Sequence, residues 1–475
     1  MSAVLEALSR RAAATPDDPV LLWKDGALSA AGLMAEAGRL AALLASGDSP
    51  VGLLLDNGPA WVVADLALML AGRPGVPIPP FFTPAQRDHA LADAGAGLLI
   101  TPGGPDDVAV ADARLRLSPT GLAPRPLHAG TAKITYTSGS TGAPKGVCLS
   151  QAQMEAVAGS LVTVLGRERA GLHLPVLPLA VLLENVAGLY ATLLAGGRYY
   201  AATLAEAGMG EAFRPDFARL LTTAARTGAT TLILVPELLR GLIAAQAALR
   251  LDHRLEMVAV GGARISPALL DAAAALGLPV VEGYGLSECA SVVALNLPGD
   301  ACRGTVGRPL PHLEVALAAD GEILVSPHPF LGYVGGEAAS RVLHTGDTGA
   351  FDAAGRLLIS GRKANTLITA FGRNVAPEWV ESELLAEPRI LQAMVMGEAE
   401  ATLSALIVAM PGADRAEVEA AVARANGRLP DYARIGDWRL VPPFDPAASQ
   451  VTANGRPRRE VLRRAYPTPS RSHAA

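Results

Sequence analysis

Apolar runs of strand length alternate with longer segments of helical spacing from about residue 51 onward. The run VGLLLDN (51–57) precedes the helical pattern GPAWVVADLALMLAG (58–72), and TPAQRDHALADAG (83–95) precedes the run AGLLIT (96–101). Strands that alternate with helices favour parallel β-α-β units. The same rhythm returns in three further runs, each ending in Gly or Pro at a turn that could face a ligand: TTLILVP (230–236), LEMVAVGG (255–262) and LPVVEGYG (278–285).

The pattern changes from about Gly304, where short apolar runs are separated by turn signals such as Asp320-Gly321. This change predicts antiparallel strands. Beyond Arg362, roughly 110 residues carry helical and strand patterns of their own, which is long enough for a small α+β domain. The sequence therefore predicts an α/β protein with an N-terminal domain at 1–361, a C-terminal domain at 362–466 and a disordered tail at 467–475.

Composition narrows the class of protein. Half of the 475 residues are hydrophobic and 18% are charged, which is enough apolar material for a large core and excludes wholesale disorder. The net charge of -5 argues against nucleic acid as the main partner. Three scattered cysteines, Cys148, Cys289 and Cys302, fit neither a disulfide framework nor a zinc cage, so we expect a reducing compartment. We read no signal peptide and no transmembrane segment, and we expect a cytoplasmic protein.

The segment TYTSGSTGAPKGV (135–147) carries the strongest chemical signal. Its glycines let backbone N–H groups approach phosphate oxygens closely, and its hydroxyls add donors, one of which can reach Mg²⁺. It is not a Walker A loop, because no Ser or Thr follows Gly-Lys at the required offset. The segment predicts a phosphate-binding loop formed by Thr137, Ser138, Gly139, Ser140, Thr141, Gly142 and Lys145.

This segment resembles the phosphate-binding loop of the adenylate-forming superfamily, which contains acyl- and aryl-CoA synthetases, peptide-synthetase adenylation domains and luciferases. The resemblance implies a large N-terminal domain with parallel β-α-β sheets and a distorted antiparallel barrel, and a small mobile α+β C-terminal domain. The segment FGRNVAPEWVE (371–381) resembles most the long-chain fatty acyl-CoA synthetase branch. Five further blocks follow in the family's order: GGARIS (261–266), GYGLSE (283–288), HTGD (344–347), GRNVAPEWVE (372–381) and VTANGRPRR (451–459).

By this resemblance, ATP and Mg²⁺ are the expected cofactors and CoA is the expected co-substrate. Tyr284 offers a flat face to adenine and Asp347 could accept hydrogen bonds from both ribose hydroxyls. Glu288 with Thr137 would hold Mg²⁺, since this cation takes hard oxygen ligands. Gly372, Arg373 and Asn374 resemble the loop that guides the thiol. The remaining expected ATP contacts are Gly261, Gly262, Ala263, Gly285, Leu286, Ser287 and Arg362.

The resemblance also implies a catalytic set of Arg456, Glu288 and Lys145, with one departure from the family. Related enzymes have a Lys that bridges the carboxylate and the α-phosphate, and here Arg456 follows Gly455 at that position. Arg keeps the charge but is bulkier than Lys and not interchangeable with it. Only four of the 40 basic residues are lysines, so Arg is the usual cation of this chain. The expected pivot between the domains is Ala364, where relatives usually have a charged residue.

For the substrate end, LPLAVLLENVAGLY (177–190) resembles a segment that lines the acyl pocket. Val181 stands where long-chain synthetases commonly have His, and Glu184 matches the family. Glu184 could be a gate contact or a buried structural residue, and the sequence leaves both open. We found no counterpart of the Asp that anchors an α-amino group.

These features predict ATP-dependent activation of a fatty or aryl carboxylic acid as acyl-AMP, with release of pyrophosphate and transfer to a thiol, most simply CoA. Two alternatives remain open at this point. The acyl group could pass to a carrier protein or an amine. Alternatively, the protein could bind a nucleotide or an acyl adenylate with weak turnover, because Arg456 stands at the position of the catalytic Lys.

Overall fold

The chain divides into two units, which we describe separately in a computed structural model. Unit 1 comprises Met1–Thr345 and Ala350–Leu358, and unit 2 comprises Gly346–Gly349 and Ile359–Ala475. The structure describes residues 2–137, 144–210, 215–327, 330–446, 448–452 and 456–467.

The helices of unit 1 lie mostly between or beside two large sheets. They are α1 (Ala3–Ala14), α2 (Ala30–Leu44), α3 (Pro59–Ala71), α4 (Pro84–Ala94), α5 (Gln151–Leu165), a π-helix (Leu183–Tyr190), α6 (Ala191–Ala195), α7 (Phe217–Thr227), α8 (Pro236–Leu249) and α9 (Pro267–Ala275).

The strands of unit 1 are mostly short. They are β1 (Pro19–Trp23), β2 (Gly26–Ser29), β3 (Val51–Leu53), β4 (Gly75–Pro77), β5 (Leu98–Pro102), β6 (Val108–Val110), β7 (Ala113–Pro119), β8 (Thr131–Thr137), β9 (Lys145–Ser150), β10 (Leu172–His173), β11 (Arg198–Tyr200), β12 (Thr231–Leu234), β13 (Met257–Val260), β14 (Val280–Tyr284), β15 (Ala294–Leu295), β16 (Arg308–Pro309), β17 (Glu314–Leu317), β18 (Glu322–Ser326) and β19 (Phe330–Tyr333).

Two sheets organise unit 1. The first has the order β16-β15-β14-β13-β12-β10-β11-β1-β2, and the second has the order β19-β9-β8-β4-β3-β5-β7-β6. The parallel pairs β3 with β4 and β5, and β12 with β13 with β14, confirm the predicted β-α-β rhythm. One apolar core joins residues from both sheets, with α3 buried along most of its length. A second core packs α7, α8 and α9 against β12 and β13.

Local sequence explains several element ends. Thr83 caps α4: its side chain accepts a hydrogen bond from the Gln86 backbone N–H, and Gln86 Oε1 in turn accepts one from the Thr83 backbone N–H. Asp414 caps its helix in the same reciprocal way with Glu417. The predicted antiparallel texture after Gly304 is confirmed by the pairing of β17 with β18.

Unit 2 contains a three-stranded sheet with helices on both faces. Strands β20 (Leu343–Phe351) and β21 (Leu357–Arg362) cross the division between the units. The other elements are β22 (Leu367–Ile368), β23 (Asn374–Val375), α10 (Pro377–Leu385), β24 (Ile390–Met396), β25 (Leu403–Ala409), α11 (Arg415–Gly427), β26 (Ile435–Leu440) and α12 (Arg459–Ala465).

The sheet of unit 2 has an apolar core on each face. Alternate residues of β24 point in opposite directions: Ala393 and Val395 pack under α10 and α11, whereas Met394 and Met396 face Leu462 of α12. The mixture of helices and strands confirms the predicted α/β fold class with a smaller α+β unit at the C-terminal end. Within the described ranges, none of the helices has both the length and the apolar character needed to cross a bilayer.

Candidate active site

The predicted phosphate-binding segment begins and ends in two paired strands, and residues 138–143 between them lie outside the described part of the chain. Strands β8 and β9 pair antiparallel, with Thr137 directly opposite Lys145. Lys145 is exposed and Thr137 is half-buried. The predicted contacts Ser138, Gly139, Ser140, Thr141 and Gly142 fall outside the described ranges, so their roles stay predictions. The register nevertheless places Thr137 and Lys145 directly opposite each other on neighbouring strands.

The predicted adenine-binding loops leave two neighbouring parallel strands. In the pairing of β13 with β14, Val260 faces Glu282, so Gly261, Gly262 and Ala263 leave the sheet beside Gly283 and Tyr284. Tyr284 is half-buried at the end of β14. The carboxyl ends of adjacent parallel strands meet at one edge of a sheet, which is where open α/β folds bind ligands. The structure therefore brings both predicted adenine contacts to the same edge.

The chain turns sharply after Tyr284. A Cβ added to Gly285 would overlap the carbonyl oxygen of Ser291, so only glycine fits there. Leu286 then leads into a single 3-10 turn, Ser287–Cys289, and the Ser291 N–H closes the loop by donating to the Leu286 carbonyl oxygen at 3.2 Å. This tight loop fixes where Glu288 leaves the backbone.

Glu288 and Lys145 share a neighbour that the sequence analysis did not single out. The hydroxyl of Tyr333 donates to Glu288 Oε1 at 2.8 Å, and Lys145 Nζ lies 5.5 Å from the centroid of the Tyr333 ring. Tyr333 ends β19, which pairs with β9 so that Tyr333 faces Val147. A Tyr after a Gly in a short strand gave no chemical signal in the sequence, because its partners come from two distant segments.

Glu288 and Thr137 offer the types of ligand that fit a magnesium ion arriving with a nucleotide. Glu288 supplies a half-buried carboxylate and Thr137 a hydroxyl, both hard oxygen ligands. Among the described residues, no group of three or more His, Cys, Asp and Glu side chains could hold a metal by itself. A cation that brings phosphate oxygens as ligands needs few protein groups, so this sparse set is sufficient.

Unit 2 carries the predicted ribose-binding pair. Arg362 Nε donates to Asp347 Oδ1 at 2.8 Å, with the Arg362 side chain half exposed and the Asp347 side chain mostly buried. The structure thus joins two residues that are 15 positions apart in the sequence. Arg362 Nη2 also lies 3.5 Å from Asp347 Oδ2, so the guanidinium approaches both carboxylate oxygens.

The predicted thiol-guiding residues form the tip of a small hairpin in unit 2. Strands β22 and β23 pair antiparallel, and Gly372, Arg373 and Asn374 follow the exposed ring of Phe371. The Arg373 guanidinium lies 5.9 Å from the centroid of the Tyr432 ring. These three residues are exposed, so they are available for contact with another molecule.

Arg456 stands at the end of a second hairpin in unit 2. Its backbone N–H donates to Thr452 Oγ1 at 3.1 Å, and its carbonyl oxygen accepts from the Thr452 N–H at 2.8 Å. Arg456 is exposed. The hairpin is tied to the unit by Arg459, which donates to Glu381 Oε2 at 2.6 Å and lies 3.5 Å from Glu378 Oε1.

The two tentative acyl-pocket residues have different surroundings. Val181 is half-buried just before the π-helix, whereas Glu184 is fully buried inside it. Glu184 Oε1 lies 2.7 Å from His173 Nε2 and accepts from the Tyr199 hydroxyl at 3.2 Å. Of the two interpretations left open by the sequence, this burial favours a structural role for Glu184.

Two further residues of the π-helix, Asn185 and Tyr190, belong to a second buried polar cluster. Lys133 Nζ donates to Asp65 Oδ1 at 2.7 Å, to the Tyr190 hydroxyl at 3.0 Å and to Asn185 Oδ1. Tyr190 and Asn185 both donate to Asp65 Oδ2. The sequence analysis did not identify this network, since isolated polar residues in apolar runs gave no indication of their partners.

Comparison with known families gives two matches. The model of the AMP-binding enzyme family matches residues 8–333, and that of the AMP-binding enzyme C-terminal domain matches residues 364–468. A curated long-chain-fatty-acid–CoA ligase of Mycobacterium bovis is 35% identical over 234 residues. That match covers 42% of this chain and 39% of the relative, so the aligned part spans about two fifths of the relative's length.

Solved structures share the fold over nearly the whole chain. The anthranilate CoA ligase AuaEII, solved with anthranoyl-AMP, has a TM-score of 0.81 at 21% identity and covers 98% of this chain and 97% of its own. The O-succinylbenzoate coenzyme A synthetase of Bacillus subtilis, solved with ATP and a magnesium ion, has a TM-score of 0.77 at 24% identity. Coverage there is 96% of this chain and 98% of the other.

Proposed function

Because the chain belongs to the AMP-binding enzyme family, we propose that it activates a carboxylic acid with ATP and passes the acyl group to a thiol. In the first step, a carboxylate oxygen attacks the α-phosphorus, the bond to the pyrophosphate oxygen breaks, and acyl-AMP forms. In the second step, the thiol sulfur attacks the acyl carbon, AMP leaves with the electron pair, and the thiol proton is lost to solvent. The enzyme is thus an AMP-forming acid–thiol ligase.

The observation that carries this proposal is the meeting of Lys145 and Glu288 at Tyr333 in unit 1, with Thr137 directly opposite Lys145 in the neighbouring strand. The first step brings an anion toward a polyanion, and pyrophosphate must leave with further charge. Fixed cations that face this developing charge lower the barrier without reorganising. Lys145 supplies such a charge, and a bound Mg²⁺ would neutralise phosphate oxygens near Glu288 and Thr137.

The remaining candidate residues support the same proposal. Tyr284 presents a half-buried ring at the edge where Gly261 and Gly262 leave the first sheet. We assign the ribose contact to Asp347 with Arg362, and the transferring group to Arg456. We further propose that 1–361 and 362–466 act as separate domains of a cytoplasmic enzyme, with Ala364 at the pivot.

The substrate proposal combines the relatives with the chemistry of the segment at 177–190. One relative is named for a long-chain fatty acid and one solved structure holds an aryl adenylate. We propose a fatty or aryl acid as the substrate and CoA as the acceptor. The strongly apolar segment that contains Val181 is suited to an uncharged acyl chain or ring rather than to an α-amino group.

A second candidate function rests on Arg456. Its exposed guanidinium can pair with phosphate, but it cannot occupy the place of a slender ammonium without displacement. If that displacement stops the first step, the protein binds nucleotide or a supplied acyl adenylate with weak turnover. A third candidate function is transfer of the acyl group to a carrier protein or an amine. It uses the same first step, formation of acyl-AMP.

One experiment separates these functions. The protein is incubated with MgATP and a panel of fatty and aryl acids, with and without CoA, while pyrophosphate and AMP are followed. We expect acid-dependent pyrophosphate and CoA-dependent AMP release. Pyrophosphate without any effect of CoA would favour the carrier or amine acceptor. Nucleotide binding without pyrophosphate across the whole panel would contradict the ligase and favour the binding protein.

A further inference from the structure

Tyr333 touches two groups of opposite charge that the proposed first step needs at the same time. Its hydroxyl donates to Glu288 Oε1 at 2.8 Å, and its ring lies beneath the Lys145 ammonium at 5.5 Å. Glu288 comes from the loop after β14 in the first sheet, while Lys145 begins β9 in the second sheet. Tyr333 is therefore a direct link between the candidate metal ligand and the candidate phosphate-binding cation.

The two contacts of Tyr333 affect different properties of the site: the orientation of the Glu288 carboxylate and the position of the Lys145 ammonium. A hydroxyl that donates to a carboxylate fixes the rotation of that carboxylate, and outer hydrogen bonds of this kind tune metal affinity. The face of an aromatic ring attracts an ammonium electrostatically and restricts a flexible four-carbon side chain. Without these contacts, the side chains of Glu288 and Lys145 would each lose conformational entropy when a nucleotide binds, and this loss would weaken binding.

The backbone around Tyr333 is itself held in place. The Tyr333 carbonyl oxygen accepts a hydrogen bond from His128 Nε2 at 3.0 Å, and the ring meets Phe330 edge-on with centroids 4.7 Å apart. Gly332 has a φ of 148°, and a Cβ there would overlap the His128 ring. The approach of His128 thus requires glycine before Tyr333, which sets the direction of the strand end.

From this geometry we propose that Tyr333 is a positioning residue that orients Glu288 for Mg²⁺ and Lys145 for the phosphates of ATP. The proposal rests on the proposed ATP-dependent function and adds a residue to it. Tyr333 does not touch the reacting atoms; it acts through its two partners. The hydroxyl governs the response to Mg²⁺, and the ring governs the affinity for phosphate when no metal is present.

Two substitutions separate the two contacts. Tyr333→Phe keeps the ring and removes the hydroxyl, whereas Tyr333→Leu removes both. The control is Tyr200→Phe, which deletes a Tyr–Glu hydrogen bond of similar length, 2.7 Å to Glu206, at a residue outside the candidate site. ATP affinity is measured by calorimetric titration across a series of Mg²⁺ concentrations and again in excess chelator.

We expect Tyr333→Phe to raise the Mg²⁺ concentration for half-maximal tightening of ATP binding by about ten-fold, the lower end for lost outer contacts to a metal ligand. Its affinity for ATP in chelator should match wild type. Tyr333→Leu should show the same Mg²⁺ shift and also bind metal-free ATP several-fold more weakly. Tyr200→Phe should match wild type in both titrations.

An unchanged Mg²⁺ response in folded Tyr333→Phe, with wild-type protein binding MgATP and releasing pyrophosphate, would overturn this inference alone. Wild-type protein that binds no MgATP would overturn the proposed function, and this inference with it. Since Phe retains the packing of the ring against Phe330, the result does not depend on whether Tyr333→Leu folds.

Discussion

At the scale of single residues, we propose that Arg456 has the largest effect on the chemistry of this protein. It occupies the position of a lysine in the resembled family and stands exposed beside Thr452 in a hairpin of unit 2. Arg retains the charge needed to offset a carboxylate and a phosphate, although its planar group demands a different approach. We therefore expect this side chain, rather than the fold, to determine the rate of the first step.

We predict that Arg456→Ala slows pyrophosphate release from acid and MgATP by about 100-fold, the usual loss when one fixed donor to developing charge is removed. Thioester formation from supplied acyl adenylate should change little, because that step no longer joins two anions at the α-phosphate. Arg464→Ala, an exposed arginine of α12, is the control. Equal slowing of both steps by Arg456→Ala would refute its assignment to the first.

Glu282 gives a pH-dependent prediction. Burial raises the pKa of its carboxyl to about 8 from 4.5, with a smaller opposing effect from the positive charge of Arg264. Between pH 4.5 and 8 the folded state holds a proton that the unfolded state has lost, so stability falls as pH rises through this window. The upper limit of this effect is about 1.4 kcal/mol for each pH unit.

Glu282→Gln should therefore flatten the fall in melting temperature between pH 5 and about 8, the upper end of the window set by the raised pKa. The melting temperature of the variant, relative to that of wild type, should rise with pH, because Gln has no proton to lose. Thermal unfolding of both proteins over this range measures the effect, with Glu460→Gln, an exposed carboxyl, as the control. Parallel curves for wild type and Glu282→Gln would show that Glu282 does not titrate in this window.

At the scale of elements, the π-helix joins the two sheets of unit 1 through polar clusters on opposite sides. Glu184 binds His173 of β10 and Tyr199 of β11 in the first sheet, and Asn185 binds Lys133 of β8 in the second. An irregular helix of this kind recurs at functional sites, since its extra residue re-aims side chains. Here it begins at Leu183, two residues after Val181, the tentative acyl-pocket residue.

We predict that Lys133→Met destabilises the protein by about 3–5 kcal/mol, because Asp65 would lose its cation while remaining buried. The double variant Lys133→Met with Asp65→Asn should lose less than the sum of the two single variants, since no uncompensated charge remains. Denaturant unfolding midpoints measure all three. Additive losses would mean that the buried pair does not act as a unit.

At the scale of the whole molecule, the candidate residues are divided between the two units. Unit 1 holds Thr137, Lys145, Tyr284 and Glu288 together with two apolar cores, whereas unit 2 holds Arg456. Unit 2 also has apolar cores of its own, on the two faces of its sheet, and unit 1 contains the candidate phosphate, adenine and metal contacts. This division predicts that nucleotide binding and turnover can be separated by truncation.

A chain that ends at Leu358 should fold and bind MgATP, but release no pyrophosphate with any acid. Leu358 is the last residue of unit 1, and Leu357 pairs with the backbone of Val306 and Gly307, so the cut preserves these contacts. Calorimetric titration and a pyrophosphate assay check the two halves of the prediction. Turnover by the truncated chain would contradict the role of unit 2, and full-length Arg456→Ala serves as the matched comparison.

The sequence by itself determined the β-α-β rhythm, the fold class and the family resemblance, because apolar period and glycine placement are local properties of the chain. Thus the β-α-β run that begins at Val51 and the strand ending at Tyr284 could be placed from sequence alone. Tertiary structure decided which side chains meet. Strand order and burial bring together residues whose spacing in the sequence gives no signal. They place Tyr333 beside Glu288 and Lys145, Arg362 beside Asp347, and Glu184 beside His173 in the interior.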